Sequence, residues 1–103
     1  MSAVVDWIQR HKDAGSLKNG RIVPRIVCAD GWSVSAQAGD GLYSIPRWEA
    51  GDWIAIELGY PSAADPRLMQ YADDRDKPTD TVYGYVPVSL VDQIIEEHGG
   101  IAQ

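Results

Sequence analysis

Residues 26–38 read Ile-Val-Cys-Ala-Asp-Gly-Trp-Ser-Val-Ser-Ala-Gln-Ala, and no other run constrains the fold as tightly. Trp32, Val34, Ala36 and Ala38 alternate with Ser33, Ser35 and Gln37. A period of two puts the two sets on opposite faces of a strand. Asp30-Gly31, just before them, has the chemistry of a two-residue type I′ turn. Residues 21–29, rich in Ile and Val, supply the partner strand. Pro24 lies inside that strand and cannot donate to a ladder, which predicts an edge or a bulge there. Residues 21–38 are thus predicted to form a hairpin, with Ser33, Ser35 and Gln37 on its solvated side.

The flanking sequence adds helices. Ser2 is placed to cap a helix over residues 2–14, where Val4, Trp7, Ile8 and His11 share one face. Arg10, His11 and Lys12 suit its C-terminal dipole, Gly15 stops it, and Asn19-Gly20 turns the chain. After a break at Gly39-Asp40-Gly41, Leu42 to Ile45 reads as a short strand ended by Pro46. A turn at Glu49-Ala50-Gly51-Asp52 leads to a strand over 53–58, with Ile54, Ile56 and Leu58 on one face. Residues 59–80 hold three prolines and five acidic residues and read as a long acidic surface loop, with one helical turn around Arg67 to Ala72. A strand over 81–86 follows. A helix over 88–98 closes the pattern, with Ser89-Leu90-Val91-Asp92 as a capping box and Gly99-Gly100 as its stop. The prediction is a single α+β domain over 1–103: a mostly antiparallel sheet of four to five strands, with an N-terminal and a C-terminal helix.

Composition narrows the function classes. With 45% hydrophobic and 23% charged residues, the chain is not wholly disordered, collagen-like or a coiled-coil rod. It holds no apolar run near the roughly 18 residues of a membrane span, and its start lacks a basic signal region. A cytoplasmic protein without membrane contact is expected. The net charge is −6, and it is uneven. Residues 1–51 hold six basic and five acidic residues; residues 52–103 hold three and ten. The second half would repel a phosphate backbone, so direct nucleic-acid binding is not expected. An acidic face keeps a small protein soluble, and it also fits a basic groove on a protein partner.

Groups that carry covalent or metal chemistry are few. The single cysteine, Cys28, sits among apolar residues and reads as a buried thiol. His11 and His98 fall on apolar helix stripes near C-termini, without metal-ligand spacing. Asp73, Asp74, Asp76 and Asp80 cluster, but a calcium loop starting at Asp74 would place Thr79 where Gly is needed and Tyr85 where Glu is needed. No catalytic residue, metal or cofactor is predicted.

Aromatic residues are the stronger signal. Tyr43, Arg47, Trp48, Tyr60, Tyr71, Tyr83 and Tyr85 lie in or beside loops and strands, and Tyr, Trp and Arg are the types that anchor interfaces. Tyr83 and Tyr85 alternate with Val82, Gly84 and Val86. With the valine face in the core, two tyrosines would stand side by side on the outer surface; the alternative is a second packed face. The predicted binding residues are Tyr43, Arg47, Trp48, Tyr60, Tyr83 and Tyr85, with Asp73, Asp74 and Asp76 as steering charge.

Several segments resemble small proteins encoded by phages and prophages of proteobacteria. They are residues 26–38, Ile45-Pro46-Arg47, Gly59-Tyr60-Pro61-Ser62, residues 79–88 (Thr-Asp-Thr-Val-Tyr-Gly-Tyr-Val-Pro-Val) and His98-Gly99-Gly100. The likeness spans roughly residues 21–100 and carries over no catalytic residue. It implies a phage accessory protein acting inside a bacterial cell. By analogy it implies an inhibitor of a host defence protein, of the anti-CRISPR kind. Two other classes compete. One is a sponge for a small ligand or nucleotide signal, with Arg47 on a phosphate and Trp48 or Tyr43 stacked on a base. The other is a small enzyme using Cys28 and a histidine. A homodimer is compatible with so short a chain, which buries only about 60–65% of its unfolded surface.

Overall fold

In a computed structural model the chain is described over residues 2–13, 23–39, 41–47 and 52–102. The expected stop at Gly15, the turns at Asn19-Gly20 and Glu49-Ala50-Gly51, the strand start at Arg21-Ile22, and Asp40 and Trp48 lie outside those residues.

Helix α1 (Ala3–Asp13) begins as its sequence dictates. Ser2 Oγ accepts the Val5 N–H at 3.1 Å. Val4, Trp7 and Ile8 are buried along one stripe. Four strands follow: β1 (Ile26–Val27), β2 (Ser33–Gln37), β3 (Ala55–Gly59) and β4 (Val82–Pro87). They form one antiparallel sheet in the order β1-β2-β3-β4. Helix α2 (Val88–Glu97) ends the fold and buries Val91, Ile94 and Ile95. The helices touch each other, α1 leans on β2, and α2 on β4. Their apolar stripes join Val34, Ala36, Ile56, Leu58 and Val86 in one core. This is the expected α+β architecture.

Differences in detail each have a cause. The hairpin loop has three residues, not two. Cys28 N–H donates to Trp32 C=O at 2.8 Å and Gly31 N–H to Cys28 C=O at 2.9 Å. Gly31 takes φ +95° while Asp30 keeps a negative φ, so the type I′ geometry, which needs both positive, is not formed. Asp30 instead accepts the Trp32 N–H through its carboxylate, at 2.9 Å. Gln37 is buried rather than solvated. Its Oε1 accepts Val23 N–H at 2.9 Å and its Nε2 donates to Val23 C=O at 3.0 Å. The side-chain amide thus stands in for a ladder at Val23, ahead of Pro24 and the start of β1. Leu42 to Ile45 forms a single bridge, Ile45 to Ala55, and not a strand.

The capping box is not used. Pro87 caps α2 without a side-chain bond. Asp92 reaches across to the other helix, where its Oδ1 accepts Val4 N–H at 2.9 Å. A carboxylate there satisfies an orphan donor of α1 and favours the positive end of its dipole. At the far end of α2, Gly99 and Gly100 take φ +93° and +86°. Gly100 N–H donates to Ile95 C=O at 2.9 Å and Gly99 N–H to Glu96 C=O at 3.0 Å, the paired bonds of a Schellman stop.

Residues 59–80 are anchored rather than loose. They contain a 3₁₀ helix over Pro66–Tyr71, close to the expected turn, and Leu68 within it is fully buried. Arg67 bridges Asp65 at 2.8 Å and Glu97 at 2.7 Å, tying the segment to α2. The guanidinium holds both carboxyls below their ordinary pKa.

Candidate protein-binding face

Strand β4 carries an irregularity that builds the site. Ile56 pairs with Val86, and Leu58 pairs with Tyr83. Between those pairs β3 has one residue, Glu57, whereas β4 has two, Gly84 and Tyr85. That extra residue is a β-bulge, and it reverses the facing of everything on one side of it. Tyr83 therefore turns inward with Val86, and both are fully buried. The expectation of two outward tyrosines is corrected here: Tyr83 is a core residue. Its hydroxyl donates to Pro78 C=O, and burial pushes its pKa up.

Tyr85 turns the other way. It adopts φ +54°, a left-handed conformation that costs a non-glycine residue about 1–2 kcal/mol. Its N–H donates to Tyr43 C=O at 3.1 Å. Tyr43 N–H in turn donates to Glu57 Oε1, opposite the bulge, at 3.2 Å. Gly84 lies directly under Tyr43, where a Cβ would meet the Tyr43 side chain in ordinary van der Waals contact at 3.4 Å. The Tyr43 and Tyr85 rings come to 5.7 Å, and Arg47 Cζ lies 5.8 Å from the Tyr43 ring. Tyr43, Arg47 and Tyr85, which the sequence placed in three separate contexts, meet at one place.

Two further exposed apolar residues lie nearby along the chain, two residues from Tyr43 and one before β3. Ile45 and Ile54 are 46% and 67% exposed, and Ile54 N–H donates to Ile45 C=O at 2.9 Å. Five large apolar side chains are exposed among the described residues, and Tyr43, Ile45, Ile54 and Tyr85 are four of them. Sequence reading missed both isoleucines. Ile54 shares a parity with Ile56 and Leu58, but it precedes the first residue of β3 and does not follow the strand's pleat. The bulge gave one readable hint, a glycine at the centre of a strand.

Beside the rings lies an open cleft of about 330 Å³, lined by Tyr43, Tyr71, Tyr85 and Asp73, among others. Asp74 and Asp76 form the turn that follows, with Asp74 Oδ1 accepting Asp76 N–H at 3.0 Å. Tyr60, the fifth exposed residue, is elsewhere. It directly follows β3 at φ +53°, and its carbonyl accepts from Arg25.

The other chemical groups form no comparable site. Cys28 is buried, and burial with the nearby Asp30 charge raises its pKa. His98 Nδ1 donates to Asp30 Oδ2 at 2.6 Å, and its ring stacks on Trp32 at 4.7 Å. That bond is the main reason the Asp30 carboxyl titrates below its ordinary range. His11 Nδ1 bonds Trp7 C=O at 2.9 Å. Among the described residues there is no cluster of His, Cys, Asp and Glu that could hold a metal ion. No helix among them is long and apolar enough to cross a membrane. No protein-family model, curated protein or solved structure matches the chain.

Proposed function

We propose that the chain is a phage-encoded, non-enzymatic binding protein that inhibits a protein of the bacterial host, a defence protein being the best candidate. One observation carries the docking part of this reading. The exposed Tyr43 and Tyr85 rings meet at the β4 bulge with Arg47 against the Tyr43 ring, and the exposed Ile45 and Ile54 sit on the backbone that adjoins it. Exposed apolar surface marks interaction sites, and rings with arginine are the usual energetic anchors. The acidic turn over 73–76 borders the same face and favours a basic groove on the partner. The phage setting and the defence target rest on the resemblance of residues 21–100.

The test is phage plating on a bacterium armed with a nuclease-based defence. Expressing the chain is expected to restore plating, and Tyr43→Ala/Tyr85→Ala is expected to abolish the effect while staying folded. Unchanged plating together with no stoichiometric host protein co-purifying would overturn the reading.

The cleft favours a second reading, a small-ligand binder, since about 330 Å³ falls within the roughly 300–1,000 Å³ of ligand pockets. Asp73 on its wall weighs against a nucleotide phosphate. A thermal-shift panel of nucleotides separates the two, with a flat response expected. An enzyme using Cys28 has least support, because the thiol is buried and the His98 imidazole is bonded to Asp30.

A further inference from the structure

The cleft beside Tyr85 has a definite chemical preference. Three tyrosines, Tyr43, Tyr71 and Tyr85, line it, and Asp73 is the one formal charge among its described lining residues. An aromatic face is electrostatically negative and attracts a cation within about 6 Å of the ring centre. A carboxylate adds attraction of the same sense and repels anions. The protein's own Arg47, 5.8 Å from the Tyr43 ring, shows that a guanidinium is accepted against that ring.

We infer that the Tyr43–Tyr71–Tyr85 cleft receives an arginine side chain presented by the docked protein. The inference rests on the docking reading above and names the chemistry of the partner's anchor. Arginine is favoured over lysine because a planar guanidinium stacks on a ring while its N–H groups bond a carboxylate. Asp73 leaves its carboxylate for that role. Its backbone N–H donates to Val82 C=O at 2.9 Å, and its side chain is exposed.

The experiment is amide-resolved NMR titration of the whole chain with N-acetyl-arginine amide and with its uncharged counterpart, N-acetyl-citrulline amide. Shift changes are expected at Tyr43, Tyr71, Asp73, Gly84 and Tyr85. The citrulline probe should bind at least about fivefold more weakly, having lost the cation–π attraction. Asp73→Asn should weaken the arginine probe by about two- to fivefold, the range of an exposed ion pair. No shifts in the cleft, or equal binding of both probes, would overturn the inference. The two readings fail separately. Loss of partner capture in Tyr43→Ala/Tyr85→Ala with no arginine response removes the inference and leaves docking intact. An arginine response with no protein captured removes docking and leaves a cation site.

Discussion

The outer edge of β1 and the bulge of β4 treat aromatic rings and open backbone in opposite ways. At β1 the C-terminal residues close the edge. Ala102 N–H donates to Val27 C=O at 2.8 Å, Ala29 N–H to Gly100 C=O at 3.0 Å, and Ile101 bridges Cys28. The ring nearby, Trp32, is turned inward, with its Nε1 on Ala63 C=O at 3.0 Å and the His98 imidazole stacked over it. At the bulge the donor freed from the ladder goes to Tyr43, and the rings face solvent. The first arrangement puts its aromatic surface into the fold. The second leaves that surface open to a partner and holds it on a conformation that costs stability. That contrast is the physical reason for placing binding at the bulge.

The sharpest way to break the contrast is at the two tyrosines that straddle it. Tyr83→Ala empties a fully buried site and should cost about 3–5 kcal/mol in urea denaturation. Tyr85→Ala should cost under about 1 kcal/mol, as expected for an exposed side chain, yet abolish partner capture. Equal losses of stability would mean that the bulge does not separate core from surface.

Gly99→Ala probes the closed side. Its Cβ would stand 2.8 Å from Ala29 Cβ at φ +93°. A loss of about 1–3 kcal/mol is expected by thermal unfolding, since strain and overpacking act together. The open side answers in the other direction. Tyr85→Gly relieves a left-handed tyrosine at φ +54°, so stability should hold or rise by up to about 1 kcal/mol while binding falls.

The smallest effect concerns Arg67, which ties the 59–80 segment to α2. Asp65 and Glu97 have folded-state pKa values below their unfolded ones. Their contribution is therefore complete above the unfolded values near pH 4 and fades as pH falls through the folded values. Arg67→Ala should melt earlier than the parent at pH 7, and the difference should vanish at strongly acid pH. A difference that persists there would assign Arg67 a packing role instead.

Much of this was legible in the order of residues. The Ser2 cap, the stripe of Val4, Trp7 and Ile8, the alternation of residues 32–38 and the glycine stop after His98 act over a few neighbours, and local geometry decides them. The class of the fold followed. The site was legible only in part: Tyr43, Arg47, Tyr85 and Asp73 were readable as residue types, not as neighbours. Tyr83 was placed on the surface, Ile54 was grouped with the face of Ile56 and Leu58, and the partners of Asp92 and His98 lay 88 and 68 residues away. A one-residue bulge is set by how two distant strands pair, and a strand's own sequence does not record its partner's register. Local chemistry fixed the elements; cross-strand register, a long-range property, chose which tyrosine reached the surface.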